Sequence, residues 1–156
     1  VSRTSPKHLI ALALAIAAGM AILTWRFYGS FVSIPWAVSV TLWLLVVVNV
    51  LAAQRVKGSL EEEHRIGLDR SQLDPMTVAL FAATAKASAW TGSIIGGLYL
   101  GLATYVVPSA GRLDAAADDL PGVLTSLAGA VALVVAALYL ERHCETPPPT
   151  DGEPAG

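Results

Sequence analysis

Four stretches of this chain contain no Asp, Glu, Lys or Arg: Leu9 to Trp25, Phe27 to Gln54, Ala87 to Gly111 and Leu120 to Leu140. Crossing a bilayer takes ~20 mostly apolar residues, within a range of about 17–25. Soluble helices of that length carry charge on their outer face, so four uncharged runs in one short chain point to four membrane spans. Only 14% of the residues are charged, against about 25% in soluble domains. The ten Lys and Arg are outnumbered by twelve Asp and Glu, which excludes a nucleic-acid binder with its basic face. The single Cys excludes a disulfide framework and a cysteine-rich metal site.

The spans are placed at about 9–25, 34–53, 88–107 and 121–140. The first is short but flanked by Lys7 and His8, whose stems can snorkel to the headgroups. A cleaved secretory signal is the rival for this segment. Its small-residue pattern lies inside the apolar core, so the span is read as retained. Trp25, Phe27, Tyr28, Phe31 and Trp36 surround the first turn, as rings do at headgroup level. Residues 54–74 read as a polar cytosolic loop in which Ser59 and Glu62 form a capping box, opening one or two helical turns at the membrane surface. Asp74-Pro75 then opens the third helix, with Asp as the cap and Pro at the first helical position. Nothing breaks the helical pattern from Pro75 to Val107, a length of about 50 Å against a hydrocarbon core of ~30 Å. The third helix is therefore over-long and is expected to start at the cytosolic interface. Pro108 to Asp119 reads as an outer loop, and the Pro-rich end, 146–156, has the composition of a disordered tail. The 1–145 region is thus one four-span membrane domain. With the N-terminus inside, seven basic residues lie in the cytosol and two outside, which predicts N-in and C-in.

Helix three carries a ladder of small residues: Ala85, Ala89, Ser93, Gly97 and Gly101 recur every four positions, with Gly92 and Gly96 beside them. Lipid tails are as apolar as Leu, so helices associate by close contact over such residues. The ladder is either an oligomer or partner face, or it packs inside the chain on Ala128, Ala132 and Ala136 or on Ala11, Ala15 and Gly19. Lys86, Ser88 and Asn49 are the polar candidates in or at the edge of the membrane. Lys86 reads either as an interfacial anchor or as the partner of an anion in a cavity. Asn49 reads as satisfied by a neighbouring helix or headgroup, with a ligand role as the alternative, and Cys144 as a free thiol rather than a metal ligand with His143 or an acylation site. The four uncharged runs hold no acid for proton coupling. No nucleophile triad, phosphate loop or metal-ligand spacing is patterned either. The expectation is a protein that is not an enzyme and takes no cofactor or metal.

Several of these pieces together resemble a known family. They are the Tyr28-Gly29 turn, Pro35-Trp36, Asp74-Pro75, Ala83-Thr84-Ala85-Lys86-Ala87-Ser88-Ala89, Gly97-Leu98-Tyr99-Leu100-Gly101 and Leu140-Glu141-Arg142-His143-Cys144. The chain resembles, over nearly its whole length, the actinobacterial membrane family catalogued as domain of unknown function 3180. The resemblance implies relatives but no reaction. The sequence therefore predicts an all-α, four-helix, two-hairpin inner-membrane protein. Its expected role is that of an accessory or scaffold subunit, with the bilayer and a second copy or larger membrane protein as partners. The alternative is a small transporter or lipid-handling protein built around Lys86.

Overall fold

The computed structural model describes residues 4–30, 35–66 and 74–144. They form four long helices: α1 (Pro6–Phe27), α2 (Ala37–Ile66), α3 (Pro75–Ser109) and α4 (Asp114–His143). A 3₁₀ turn, Tyr28–Ser30, follows α1. All four helices are long and apolar enough to cross a membrane, and no strand occurs among the described residues.

Local chemistry explains most of the boundaries. Pro6 sits at the start of α1, where its missing N–H leaves no helical bond unmade. At α3 the Asp74 carboxylate accepts from the Met76 N–H and Pro75 follows it. With 35 residues, α3 is the longest helix, about 50 Å from end to end.

Three boundaries differ from the sequence reading. Where a loop is expected from 54, α2 continues without a break to Ile66, and 67–73 lie outside the described residues. Ser59 therefore lies inside α2 rather than at a helix start. Ala53 and Val56 are buried against Ala85 and Leu140, which anchors this extra length through packing that local capping chemistry does not reveal. Helix α3 runs two residues past the expected end and holds Pro108 in its last turn. Pro108 has no N–H to offer the carbonyl four residues back, but the helix ends one residue later, so the break falls where the helix stops. Helix α4 starts at Asp114 and absorbs 114–119 of the expected outer loop together with Pro121. Asp114 lies in the first turn, where the helix dipole favours an acid, and three alanines follow it. The expected tail, 146–156, lies outside the described residues.

The helices pack in the order α1, α3, α4, α2. Extensive contacts join α3 to α4, α1 to α3 and α2 to α4, while α2 meets α3 only slightly. Helices α1 and α2, neighbours in sequence, share no packing contact among the described residues. The core is correspondingly divided. Near one end Tyr99, Leu102, Ala103 and Val106 of α3 pack on Val123 of α4. Toward the other end Leu9 and Ala89 meet Ala137, and Ala53 and Val56 meet Leu140. Trp25, Phe27 and Trp36 are exposed at the first end, which we call the aromatic end. The opposite, charged end carries Lys7, Arg55, Lys57 and Arg142.

Candidate functional site

The small residues of α3 are consumed by packing within the chain. A Cβ on Gly97 would stand 2.6 Å from the Ala13 carbonyl oxygen, and one on Gly101 would stand 2.7 Å from that of Ala17. No side chain fits between these two backbones. One step earlier the Ser93 hydroxyl donates to the Leu9 carbonyl at 2.6 Å. On the adjacent ridge a Cβ at Gly92 would meet Val134 Cγ2 at 2.9 Å, and one at Gly96 would meet Ala130 Cβ at 3.4 Å. At the charged end Ala89 packs on Leu9 and Ala137, and Ala85 on Ala53 and Leu140.

The geometry of the ladder explains this change of partner. On a 3.6-residue helix every fourth residue advances by about 40° beyond a full turn. From Ala85 to Gly101 the ladder therefore winds through about 160°, leaving α2 and α4 at one end and reaching α1 at the other. On α1 the face expected to receive it is not the one used, since Ala11, Ala15 and Gly19 are exposed. On the expected α4 face Ala128 is exposed, Ala132 half-buried and Ala136 buried. The contacts fall instead on Ala13, Ile16 and Ala17 of α1 and on Ala130 and Val134 of α4.

Two of the three polar candidates meet. Asn49 is fully buried, and its Nδ2 donates to the Leu45 carbonyl at 2.8 Å and to Ser88 Oγ at 3.1 Å. This clasp ties α2 to α3, two helices that otherwise touch little. The Asn49 Oδ1 has no hydrogen-bond partner among the described residues. Lys86, two positions before Ser88, is half-buried and engaged in an interaction of its own. It lines neither the apolar groove between α1, α3 and α4 nor the hollow beside Trp25 and Arg112.

Sequence reasoning missed two bonds that join distant parts of the chain. The Glu141 carboxylate, buried at the end of α4, accepts from the Thr4 backbone N–H at 2.9 Å and from its hydroxyl at 2.8 Å. Both ends of the four-helix unit thus lie at the same face. At the aromatic end Tyr28 donates to Asp119 at 2.9 Å, and its ring lies 4.6 Å from that of Tyr105, on which Trp25 packs edge-on. The Leu140–Cys144 stretch drew attention to Glu141 as part of a motif, but nothing local could mark its partner, 137 residues away.

A family model described as protein of unknown function (DUF3180) matches residues 9–148. The chain belongs to that family. No curated protein and no solved structure matches it. Membership and four apolar helices together make this a multi-pass membrane protein of a family without an assigned activity. Within it, Cys144 ends α4 half-buried. Burial pushes its thiol above the ordinary range and the Glu141 carboxylate pushes it further. Little thiolate exists there at neutral pH, which lowers the reactivity of Cys144 as a nucleophile.

Proposed function

We propose that this protein is a non-enzymatic accessory or scaffold subunit of the plasma membrane, with both chain ends in the cytosol, that docks on a larger membrane protein or a second copy. The observation that carries the reading is where its helix-interface polar groups are used. Asn49 and Ser88 clasp two helices, and Ser93 bonds the backbone of a third. These are joints rather than the walls of a reaction site, which needs a positioned acid, base, nucleophile or metal. The orientation rests on the basic residues, seven inside against two outside.

The partner face we assign is the outer side of α2. That helix meets the body mainly through α4 and turns Leu44, Val47, Val48 and Leu51 outward. It then extends past Gln54 through Arg55 and Lys57 to Ile66. A photoreactive residue placed at Val48 or Leu51 in native membranes is expected to give a reproducible adduct with one larger protein or with a second copy. Lipid adducts alone, from a protein that purifies as a strict monomer, would overturn the reading. The rival role, in which Lys86 pairs with an anionic substrate, predicts that Lys86→Ala abolishes function at normal abundance. A scaffold predicts tolerance or a modest fall in abundance.

A further inference from the structure

A groove of about 470 Å³ runs between α1 and α4 over the surface of α3. Its lining is apolar because of what is missing and what is turned away. Gly92 and Gly96 bring no side chains, and the Ser93 hydroxyl is bound to the Leu9 carbonyl. One wall is α1 at Pro6, Ile10 and Ala13; the other is α4 from Leu127 to Leu138. Ile10, Val131 and Val135 remain well exposed along its rim.

Length and charge identify an occupant. The eleven-residue rise from Leu127 to Leu138 is about 16 Å, close to half of the ~30 Å hydrocarbon core. The groove thus has the depth of a single leaflet, and it opens at the charged end, where Pro6 and Leu138 lie. Arg142 follows Leu138 by four residues and Val135 by seven, so it stands one turn above that wall. Lys7 precedes Ile10 by three and stands above the other. Both cations are exposed, and Lys7 and Arg142 have no ion pair with another described residue. The neighbouring acid, Glu141, is buried with one carboxylate oxygen held by Thr4. A leaflet-deep apolar slot topped by a cation on each wall matches a lipid with a negative headgroup, as basic residues beside apolar surface do at anionic membranes.

We propose that this groove holds one acyl chain of an anionic glycerophospholipid from the leaflet at the charged end, with its phosphate between Lys7 and Arg142. The site is separate from the outer face of α2 and stands or falls independently of the scaffold reading. The test uses the full chain in nanodiscs containing phosphatidylglycerol with a diazirine in its acyl chain, compared with the matched phosphatidylcholine probe. Adducts are expected to concentrate on Ile10, Val131 and Val135, with the phosphatidylglycerol probe labelling them roughly tenfold more strongly. The double variant Lys7→Gln/Arg142→Gln changes only exposed side chains and is expected to bring that preference to about one. Adducts spread equally over Val47 and Leu51 of α2 would overturn the proposal. So would a preference that survives the double variant. A photoreactive residue at Val135 that captures a second copy or another protein would assign the groove to a helix and overturn it as well.

Discussion

The two longest-range pairings, α1 with α3 and α4 with α2, both join helices running in the same direction, yet they are made differently. Between α1 and α3 the backbones themselves touch, at Gly97 and Ala13 and again at Gly101 and Ala17. Between α2 and α4 the contact is made by side chains: Leu42, Leu45 and Val46 interdigitate with Ala130 and Leu133. The single glycine there, Gly129, faces the Leu42 and Trp43 side chains at 3.3 Å. Backbone contact in lipid maximises dispersion and leaves no slack. Side-chain contact can re-pack. One half of the molecule is therefore intolerant of added volume, and the other is sensitive mainly to its loss.

Substitutions can separate the two modes. The largest effect is expected from Gly101→Val, whose Cβ would lie 2.7 Å from both the Ala17 carbonyl oxygen and Met20 Cβ. Overpacking against backbone is expected to destabilise by about 3 kcal/mol, at the upper end of the usual range, and to release α1 from α3. Denaturation in micelles would measure it, and a stable Gly101→Val protein would refute backbone contact. Leu42→Ala, at a fully buried position of the other interface, is expected to cost about 1–2 kcal/mol. That is less than in a soluble core, because lipid solvates the unfolded helix as well as protein does and only packing is lost. A loss as large as that of Gly101→Val would erase the distinction.

Smaller still is Ser88→Ala, which removes the acceptor of the Asn49 amide. Interhelical hydrogen bonds in membranes average about 0.6 kcal/mol, so a shift of that order is expected, with α2 separating from α3 before α4 does. Gly19→Ala is the control at the bottom of the scale. A Cβ there meets nothing within 4 Å, and the helix gains up to about 1 kcal/mol of propensity. Unchanged or slightly raised stability would show that glycines matter in α1 and α3 only where backbones meet.

The sequence made the helices legible and left their facing obscure, for one physical reason. Uncharged length marks a membrane span, and Asp74-Pro75 marks a helix start, because both are local requirements. In water, hydrophobic period also tells which face is inward. In lipid the outside is as apolar as the inside, so exposed Ile22, Leu44 and Val135 look like the buried Leu42 and Leu133. The ladder on α3 was visible as a packing feature, but the face of α1 that receives it was not. Ala11, Ala15 and Gly19 have the right sizes on the wrong side. Asn49 and Ser88 could be named singly, though their meeting depends on the approach of α2 to α3. The length of α2 escaped because the packing of Ala53 and Val56 on Leu140 outweighs the local signal of Ser59 and Glu62.

The absence of packing between α1 and α2 bears on how the chain is assembled. A ribosome delivers α1 and α2 to the membrane first, and neither has its principal neighbour until α3 and α4 have followed. Each early helix must be a stable span by itself, kept in place by its own apolar length and flanking charges, and docking waits on the second half of synthesis. Placing Glu141 near the end of the last helix makes the Thr4 contact a late closure. A nascent chain stopped before residue 114 lacks both α4 and the Glu141 acceptor, leaving α2 without its main neighbour.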